Sequence, residues 1–307
     1  MKSPSVFLLC NARKSTLVGR MHRAADELGL QFGHAIYRDI RFDARGGALT
    51  IDTGQGTQDI TGHSHYIFRG SIGIHHIKNA IITSVLGRAA VLNQSAYEQN
   101  VGYYNKLVQL VRLSNAGVPI IPTSLTNTQS DFDAAIDQRI QSQSKAFIKP
   151  VAGTGGVGCH MIDKDTSLAG DTPLNISQTF VQDYMPIKED YRVLILGDRV
   201  LGVMKRTMVD GKVVSNVSQG ATTSAVTLGE ETLNIALKAA KTMGLEFAGV
   251  DILLDNGKPF VIEVNIQPGF SGFEDATGIN VSREILTHLI SKSVPKPFNP
   301  ATWLPRI

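Results

Sequence analysis

The sequence predicts a small parallel α/β domain followed by a longer α+β region. Three observations carry that reading. Strand-like apolar runs alternate with helix-like periodicity over residues 1–97, the pattern of βαβ units. From Lys145 onward, short strands meet at tight turns, as at Gly197-Asp198 and Asp255-Asn256-Gly257, which indicates antiparallel pairing. Amphipathic segments at helical spacing accompany these strands, as at 229–243. The 307 residues suffice for three compact parts, expected at 1–97, 98–183 and 184–307.

In order along the chain, residues 5–10 read as a buried strand. Residues 14–29 read as a helix, with Leu17, Met21, Ala24, Ala25 and Leu28 at helical spacing and Gly29 as its stop. A strand near 32–37 follows. Residues 41–62, rich in Gly, Thr, Asp and Gln, read as loop with short strands. His65–Arg69 is a strand ending in Gly70-Ser71-Ile72-Gly73, residues 74–87 a helix, and Ala89–Asn93 a strand. The next part opens with a helix near 100–115, closed by Asn115-Ala116-Gly117. Pro122–Leu125 leads to a helix near 129–143. Lys145–Pro150 and Cys159–Ile162 are strands flanking a Gly-rich loop, and Thr179–Tyr184 runs into Met185-Pro186. Arg192–Leu196 and Arg199–Lys205 pair antiparallel. An amphipathic helix at 229–243, a hairpin at 249–265 and a last helix at 280–291 complete the fold, with a Pro-rich tail from Ser293.

Composition narrows the function classes. A hydrophobic fraction of 42% and a charged fraction of 19% are those of a globular chain with a real core. A net charge of +3 is too mild for a nucleic-acid surface, which needs a clustered basic stripe. The apolar run Val6–Cys10 is shorter than a membrane span or a signal-peptide core. Neither nucleic acid nor membrane is therefore expected as a partner. Cys10 and Cys159 give no disulfide framework and read as reduced thiols, which suits a cytoplasmic protein.

The hairpin at 249–265 carries the strongest chemical signal. Asp251, Glu263 and Asn265 lie within two apolar strands. Buried carboxylates are unfavourable unless something neutralises them. Hard oxygen donors of this kind suit Mg²⁺. Register decides whether the three converge. A two-residue turn at Asn256-Gly257 would pair Asp251 with Ile262 and send the two carboxylates to opposite faces. A three-residue loop, Asn256-Gly257-Lys258, pairs Asp251 with Glu263 and puts Asn265 on the same face, so that loop is the expected one. The competing reading is two separately solvated carboxylates on an edge hairpin.

The Gly-rich loop spans Gly153, Thr154, Gly155, Gly156, Val157 and Gly158. A dinucleotide-binding fingerprint would be followed at once by a helix. Here Cys159-His160-Met161-Ile162 alternates like a strand, so the loop reads as a flap whose backbone N–H groups close over phosphates. A plain glycine turn is the alternative. Lys149, in the apolar strand just before, is placed to contact a polyphosphate or, alternatively, to face solvent. Gln182-Asp183-Tyr184-Met185 is a strand end that can offer backbone groups to an adenine edge. Asp190, Arg192, Arg206 and the run Asn216–Gly220 follow.

Taken together and in this order, these segments resemble the ATP-grasp superfamily, specifically the RimK-type glutamate ligases and related carboxylate–amine ligases. The resemblance covers roughly residues 66 to 291 and rests on Lys106 in Tyr104-Asn105-Lys106-Leu107, Lys149 with loop 153–158, the 182–185 hinge, Asp190-Tyr191-Arg192, Arg206, Asn216 to Gly220, Asp251, Glu263-Val264-Asn265 and Pro268-Gly269. Residues 41–62 and Ile72–Lys78 match none of its motifs. It implies an α/β pre-ATP-grasp domain, then an α+β ATP-grasp fold with two subdomains clasping ATP. It implies that Lys106, Lys149 and the flap bind phosphates, the hinge binds adenine, and Asp190 approaches the ribose. Asp251, Glu263 and Asn265 would hold two Mg²⁺ ions, for which Mn²⁺ may substitute. Arg206, Asn216 and Arg192 would serve catalysis, and Arg192, Gly220 and Gly269 the substrate. Arg69, at the end of a central strand, is a further candidate for the substrate carboxylate, against a structural ion pair.

The implied reaction is ADP-forming. Phosphorylation turns a poor electrophile, a carboxylate, into an acyl phosphate, which an amine then attacks. Glutamate or a similar amino acid, joined to a peptide, protein or small-molecule acceptor, is the expected pair, in a homodimer or tetramer. A non-catalytic ATP-binding regulatory module of the same fold and a kinase that stops at phosphoryl transfer are the alternatives. The three oxygen ligands are all present, which a degenerate module would be expected to lose. Cys159 reads as packing, and His63, His65, His75 and His76 as parts of a polar loop and a helix start.

Overall fold

A computed structural model describes residues 4–12, 15–43, 48–52, 57–70, 75–99, 105–152, 157–165, 175–186, 188–207 and 222–295. The chain divides into two compact units. The first comprises residues 1–99, 269–271 and 280–307, the second 100–268 and 272–279.

The first unit begins with β1 (Ser5–Cys10), α1 (Thr16–Glu27) and β2 (Gln31–Ile36). Ser15 caps α1 by accepting from the Val18 N–H, and Val18, Met21, Ala24 and Ala25 form its buried stripe. A small antiparallel sheet follows, β3 (Ile40–Asp43), β4 (Ala48–Asp52) and β5 (Thr57–Asp59). It occupies the stretch expected to be loop with short strands. Then come β6 (His65–Phe68), α2 (His75–Val85), β7 (Ala90–Val91) and α3 (Gln94–Gln99). The main sheet is parallel with strand order β2-β1-β6-β7. Val6, Phe7, Leu8 and Leu9 of β1 are buried, as expected for a central parallel strand covered on both faces.

The second unit opens with α4 (Lys106–Asn115), whose cap Asn105 accepts from the N–H groups of Leu107 and Val108. The helix expected near 100–115 is thus seen from residue 106 among the described residues. Next are β8 (Thr123–Leu125), α5 (Gln129–Gln143), β9 (Lys145–Pro150), β10 (His160–Asp163) and β11 (Thr179–Asp183), forming a sheet of order β10-β9-β11-β8. Ala146 and Ile148 of β9 pack with Phe132, Ala135 and Ile136 of α5. The strand alternation therefore turns Phe147 and Lys149 to the opposite face.

The remaining elements are β12 (Glu189–Leu196), β13 (Arg199–Thr207), β14 (Thr222–Val226), α6 (Glu230–Thr242), β15 (Phe247–Asp255), β16 (Lys258–Asn265) and α7 (Ser271–Thr277). They build an antiparallel sheet of order β14-β13-β12-β15-β16 with α6 on one face. The last helix, α8 (Val281–Ile290), was expected in the C-terminal part. Instead it packs on α1 in the first unit. Its buried Val281, Ile285, Leu286 and Leu289 form an apolar stripe that needs a partner face, and α1 supplies one.

Candidate active site

The site grows from one face of the five-stranded sheet. In β12, Asp190 and Arg192 alternate with Tyr191 and Val193. Asp190 pairs with Arg206 of β13 and Arg192 with Asp251 of β15. Asp251 in turn faces Glu263 of β16, and Gly249 faces Asn265. Six polar side chains thus share one face.

The register of the hairpin arises differently from the expectation. The turn has two residues, with Asp255 opposite Lys258, and both Asn256 (φ 48) and Gly257 (φ 80) are left-handed, the signature of a tight hairpin turn. The pairs run regularly to Ile252↔Val261, then shift to Asp251↔Glu263, leaving Ile262 unpaired. A β-bulge, not an odd-length loop, brings the two carboxylates together. Gly249 is required beside them, since a Cβ there would lie 2.7 Å from the Pro268 ring.

Two arginines claim the acids. Arg192 donates through Nε and Nη2 to the two oxygens of Asp251, both at 2.8 Å. Arg206 reaches Asp190 in the same forked manner, and its Nη2 also lies 3.0 Å from Asp251 Oδ2. Burial alone would raise the Asp251 pKa, but the charges and hydrogen bonds of Arg192 and Arg206 outweigh it and hold the group at about 2. For Arg206 burial acts downward, yet the two aspartates raise its pKa above the ordinary value. Glu263 differs. It accepts from Asn265 Nδ2 at 3.0 Å and has no ion pair among the described residues. The Asn265 amide also lies 3.4 Å from Asp251 Oδ2.

This donor set fits a hard divalent cation. Asp251, Glu263 and Asn265 converge, and rotating the Asn265 amide by half a turn would present its carbonyl oxygen beside the carboxylates. Among the described residues no three of His, Cys, Asp and Glu cluster, and the third member of this oxygen set is an asparagine.

The expected phosphate lysines lie nearby. Lys149 is half-buried with its ammonium 5.1 Å from the centre of the Phe147 ring. Burial lowers its pKa, and the charges of Cys159, Glu263, Lys106 and Asp190 all act on it. These groups therefore form one electrostatic neighbourhood. Lys106 starts α4, and its backbone N–H donates to Val151 O at 3.0 Å, tying the helix start to the end of β9. Gly158 takes φ +77 against Pro150, and Val157 is 76% exposed. Gly153, Thr154, Gly155, Gly156, Asn216 and Gly220 lie outside the described residues.

The hinge is anchored on one side. Gln182 donates to Thr123 Oγ1 at 2.9 Å, Asp183 is ion-paired with Arg139 at 2.9 Å, and the Asp183 N–H is taken by Pro122 O. Tyr184 and Met185 lie past the last ladder pair, and Tyr184 stacks under the Lys145 ammonium at 5.3 Å. Asp190, expected near a ribose, is 4% exposed with both oxygens bound to Arg206. Arg69 and Gly269 fall in the first unit, where Arg69 lies over the Phe270 ring.

Gln109 escaped the sequence reading. It is buried on α4, one turn after Lys106, and its side-chain oxygen accepts from the Val264 N–H at 3.0 Å. Val264 lies between Glu263 and Asn265, so this bond braces that stretch of β16. The only hint in the sequence was its spacing of three residues from Lys106.

The comparisons agree with this geometry. The family model for a RimK-like ATP-grasp domain matches residues 104–289. A probable alpha-L-glutamate ligase 2 of Shewanella sp. (strain W3-18-1) is 34% identical over 226 residues, covering 70% of this chain and 73% of that protein. A probable alpha-L-glutamate ligase of Pseudomonas fluorescens (strain SBW25) is 35% identical over 198 residues, 62% of this chain and 64% of that one. Among solved structures, the ATP-grasp ligase PsnB with its minimal precursor aligns with a TM-score of 0.70 at 18% identity, over 94% of this chain and 99% of that chain. The macrocyclase MdnC bound with precursor peptide MdnA, from Microcystis aeruginosa MRC, gives 0.73 at 13% identity, over 94% and 100%. These structures establish the ATP-grasp fold, and the family model and the glutamate ligases establish the lineage. The chain belongs to the RimK-like ATP-grasp family and is an ATP-dependent, ADP-forming ligase that joins a carboxylate to an amine.

Proposed function

We propose that this chain activates an amino-acid carboxylate, glutamate being the leading candidate, and joins it to an amine on a peptide, protein or small molecule. The observation that carries the reading is the bulged β15–β16 hairpin, which gathers Asp251, Glu263 and Asn265 beside the field of Lys106 and Lys149. The similarity to proteins named as glutamate ligases supports the choice of acid.

Each residue has a role in that reading. Lys106, Lys149 and the flap from Gly153 to Gly158 cradle the phosphates. Tyr184 and Met185 offer backbone groups to adenine beyond the anchored Gln182 and Asp183, and Asp190 serves the nucleotide side. Asp251, Glu263 and Asn265 hold two Mg²⁺ ions, or Mn²⁺ in their place. Bound there, the cations neutralise charge on the phosphates. Arg192, Arg206 and Asn216 then stabilise the transferring phosphoryl group, and Arg192, Gly220, Arg69 and Gly269 serve the substrate. A carboxylate oxygen attacks the γ-phosphorus and the bond to the ADP oxygen breaks, giving an acyl phosphate. The amine attacks the acyl carbon, phosphate leaves, and the nitrogen releases its proton. Arg192, Arg206 and Lys149, held in place by the fold, would stabilise the charge of both steps because groups already fixed need no reorganisation as it develops. A flap excludes water that would hydrolyse the acyl phosphate. We place one domain limit near residue 97, with α8 returning to the first unit, a second limit inside the ATP-grasp part at residue 183, and the assembly as a dimer or tetramer.

The test is ADP and phosphate release with Mg-ATP over a panel of amino acids, with and without amine or peptide acceptors, and with product masses recorded. A product one water lighter than acid plus amine supports the reading. ATP binding without turnover across the panel counts against it and favours a regulatory module.

A further inference from the structure

Helix α5 carries an arginine where its packing stripe calls for an apolar side chain. Phe132, Ala135 and Ile136 pack with Ile148 and Val181 of the β10-β9-β11-β8 sheet. Arg139 follows at the same helical spacing and is 7% exposed. Each of its guanidinium nitrogens has a partner. Nη1 donates to Ala135 O at 3.0 Å, Nη2 donates to Ser124 Oγ at 3.1 Å, and Nε is ion-paired with Asp183 Oδ1 at 2.9 Å. Gln143, one turn further along α5, donates to the other Asp183 oxygen at 2.9 Å. A buried ion pair is a weak source of stability, since apolar side chains of similar volume often serve a core as well. What this one fixes is position.

Asp183 is the last residue of β11 and pairs with Ala146 of β9. Its N–H donates to Pro122 O at 3.0 Å, and both its carboxylate oxygens are held by α5. Ser124, the second partner of Arg139, stands opposite Val181 where β8 pairs with β11. One guanidinium thus ties α5, β8 and the end of β11 together. Beyond Asp183 come Tyr184 and Met185, then Pro186, and a residue before proline is restricted to extended backbone. Tyr184 and Met185 therefore lie between an anchored aspartate and a proline.

That placement matters because a purine edge is read by the order of its donors and acceptors. Adenine presents an amino donor beside the N1 acceptor, whereas hypoxanthine presents an O6 acceptor beside an N1–H donor. A backbone C=O and N–H in fixed order match one base and oppose the other. They discriminate only while held to within about 0.5 Å of the productive geometry.

We propose that Arg139 is a positioning residue for base recognition. Through Asp183 it holds the strand end, so that the backbone that follows offers donor and acceptor in the order adenine requires. This rests on the reading of 182–185 as the adenine hinge.

The test is calorimetric titration of the full chain with Mg-ATP and with Mg-ITP, the inosine nucleotide differing only at the base edge. Wild type binds ATP about tenfold to a hundredfold more tightly than ITP, the cost of meeting like groups at two hydrogen-bond positions. Arg139→Met reduces that preference to about threefold or less by weakening ATP, while ITP affinity changes by under about twofold. Arg139→Lys keeps the charge, loses the fork, and retains an intermediate preference. Gln143→Ala, at an exposed position that leaves the core intact, reduces the preference about twofold to threefold. A role in stability alone would lower the melting temperature and leave the ratio of the two affinities as in wild type. A wild-type ratio in a folded Arg139→Met protein therefore overturns the inference. If Arg139→Met does not fold, a wild-type ratio in Gln143→Ala overturns it instead. Equal affinity for ATP and ITP in wild type sinks the hinge reading itself, an outcome distinct from either.

Discussion

Asp251 stands opposite Glu263 because Ile262 is left out of the β15–β16 ladder. The two acids nevertheless sit in different surroundings. Asp251 is locked by Arg192 and Arg206, whereas Glu263 is bonded by Asn265 and has no ion pair among the described residues. Their substitutions should therefore separate stability from activity. Glu263→Ala is expected to change unfolding free energy by under about 1 kcal/mol and to lower ADP release by about a hundredfold or more through the lost cation ligand. Asp251→Ala leaves the buried Arg206 and the half-buried Arg192 short of a partner and should lower stability by about 3–5 kcal/mol. Urea unfolding and ADP release on both variants check this. Near-normal turnover in Glu263→Ala would remove Glu263 from the cation site.

Lys149→Ala should weaken ATP. The ammonium is half-buried on the face of β9 away from α5, within the field of Glu263 and Lys106. Losing one phosphate contact is expected to raise the Kd for Mg-ATP about tenfold to a hundredfold, with little change in melting temperature. An unchanged Kd would mean that Lys149 merely faces solvent.

How much of this was legible in the sequence depends on the distance over which the cause acts. The helices at 129–143 and 229–243 were legible because periodicity and caps are local, and so was the convergence of Asp251, Glu263 and Asn265. The way they converge was not. A bulge leaves no mark on composition, and the same sequence allows an odd-length loop to give the same pairing. The partnership of α8 with α1 was also hidden, because an apolar stripe declares that it needs a partner but not which one. The roles of Gln109 and of the Asp190–Arg206 pair depend on contacts across 155 and 16 residues of chain, which no spacing rule reads.

Gln109 should act on the cation ligands without touching substrate. Gln109→Leu leaves the buried Val264 N–H without its acceptor, a loss of about 1–3 kcal/mol, and loosens β16 between Glu263 and Asn265. The Mg²⁺ concentration for half-maximal rate should rise several-fold. Gln109→Glu, which keeps an acceptor oxygen at the same reach, should recover most of it. A fall in kcat with unchanged Mg²⁺ dependence would assign Gln109 to general packing.

Lys78 makes the stability of the chain depend on pH in a stated direction. Burial first, then the charge of Arg69, lowers its pKa from 10.5 to about 7, and its ammonium lies 5.3 Å from the centre of the Tyr97 ring. Between those values the unfolded chain holds the proton and the folded chain releases it. The unfolded state thus binds more protons, and stability rises with pH across the window. The unfavourable contribution is complete below pH 7 and gone above 10.5, amounting to an upper value on the order of 5 kcal/mol. Lys78→Met has no such group, so its stability relative to wild type should grow as pH falls from 10 to 7. Urea unfolding of both proteins at each pH measures the difference directly, since every other titrating group is shared. Parallel curves for the two proteins would show that Lys78 stays charged in the fold through contacts of its own.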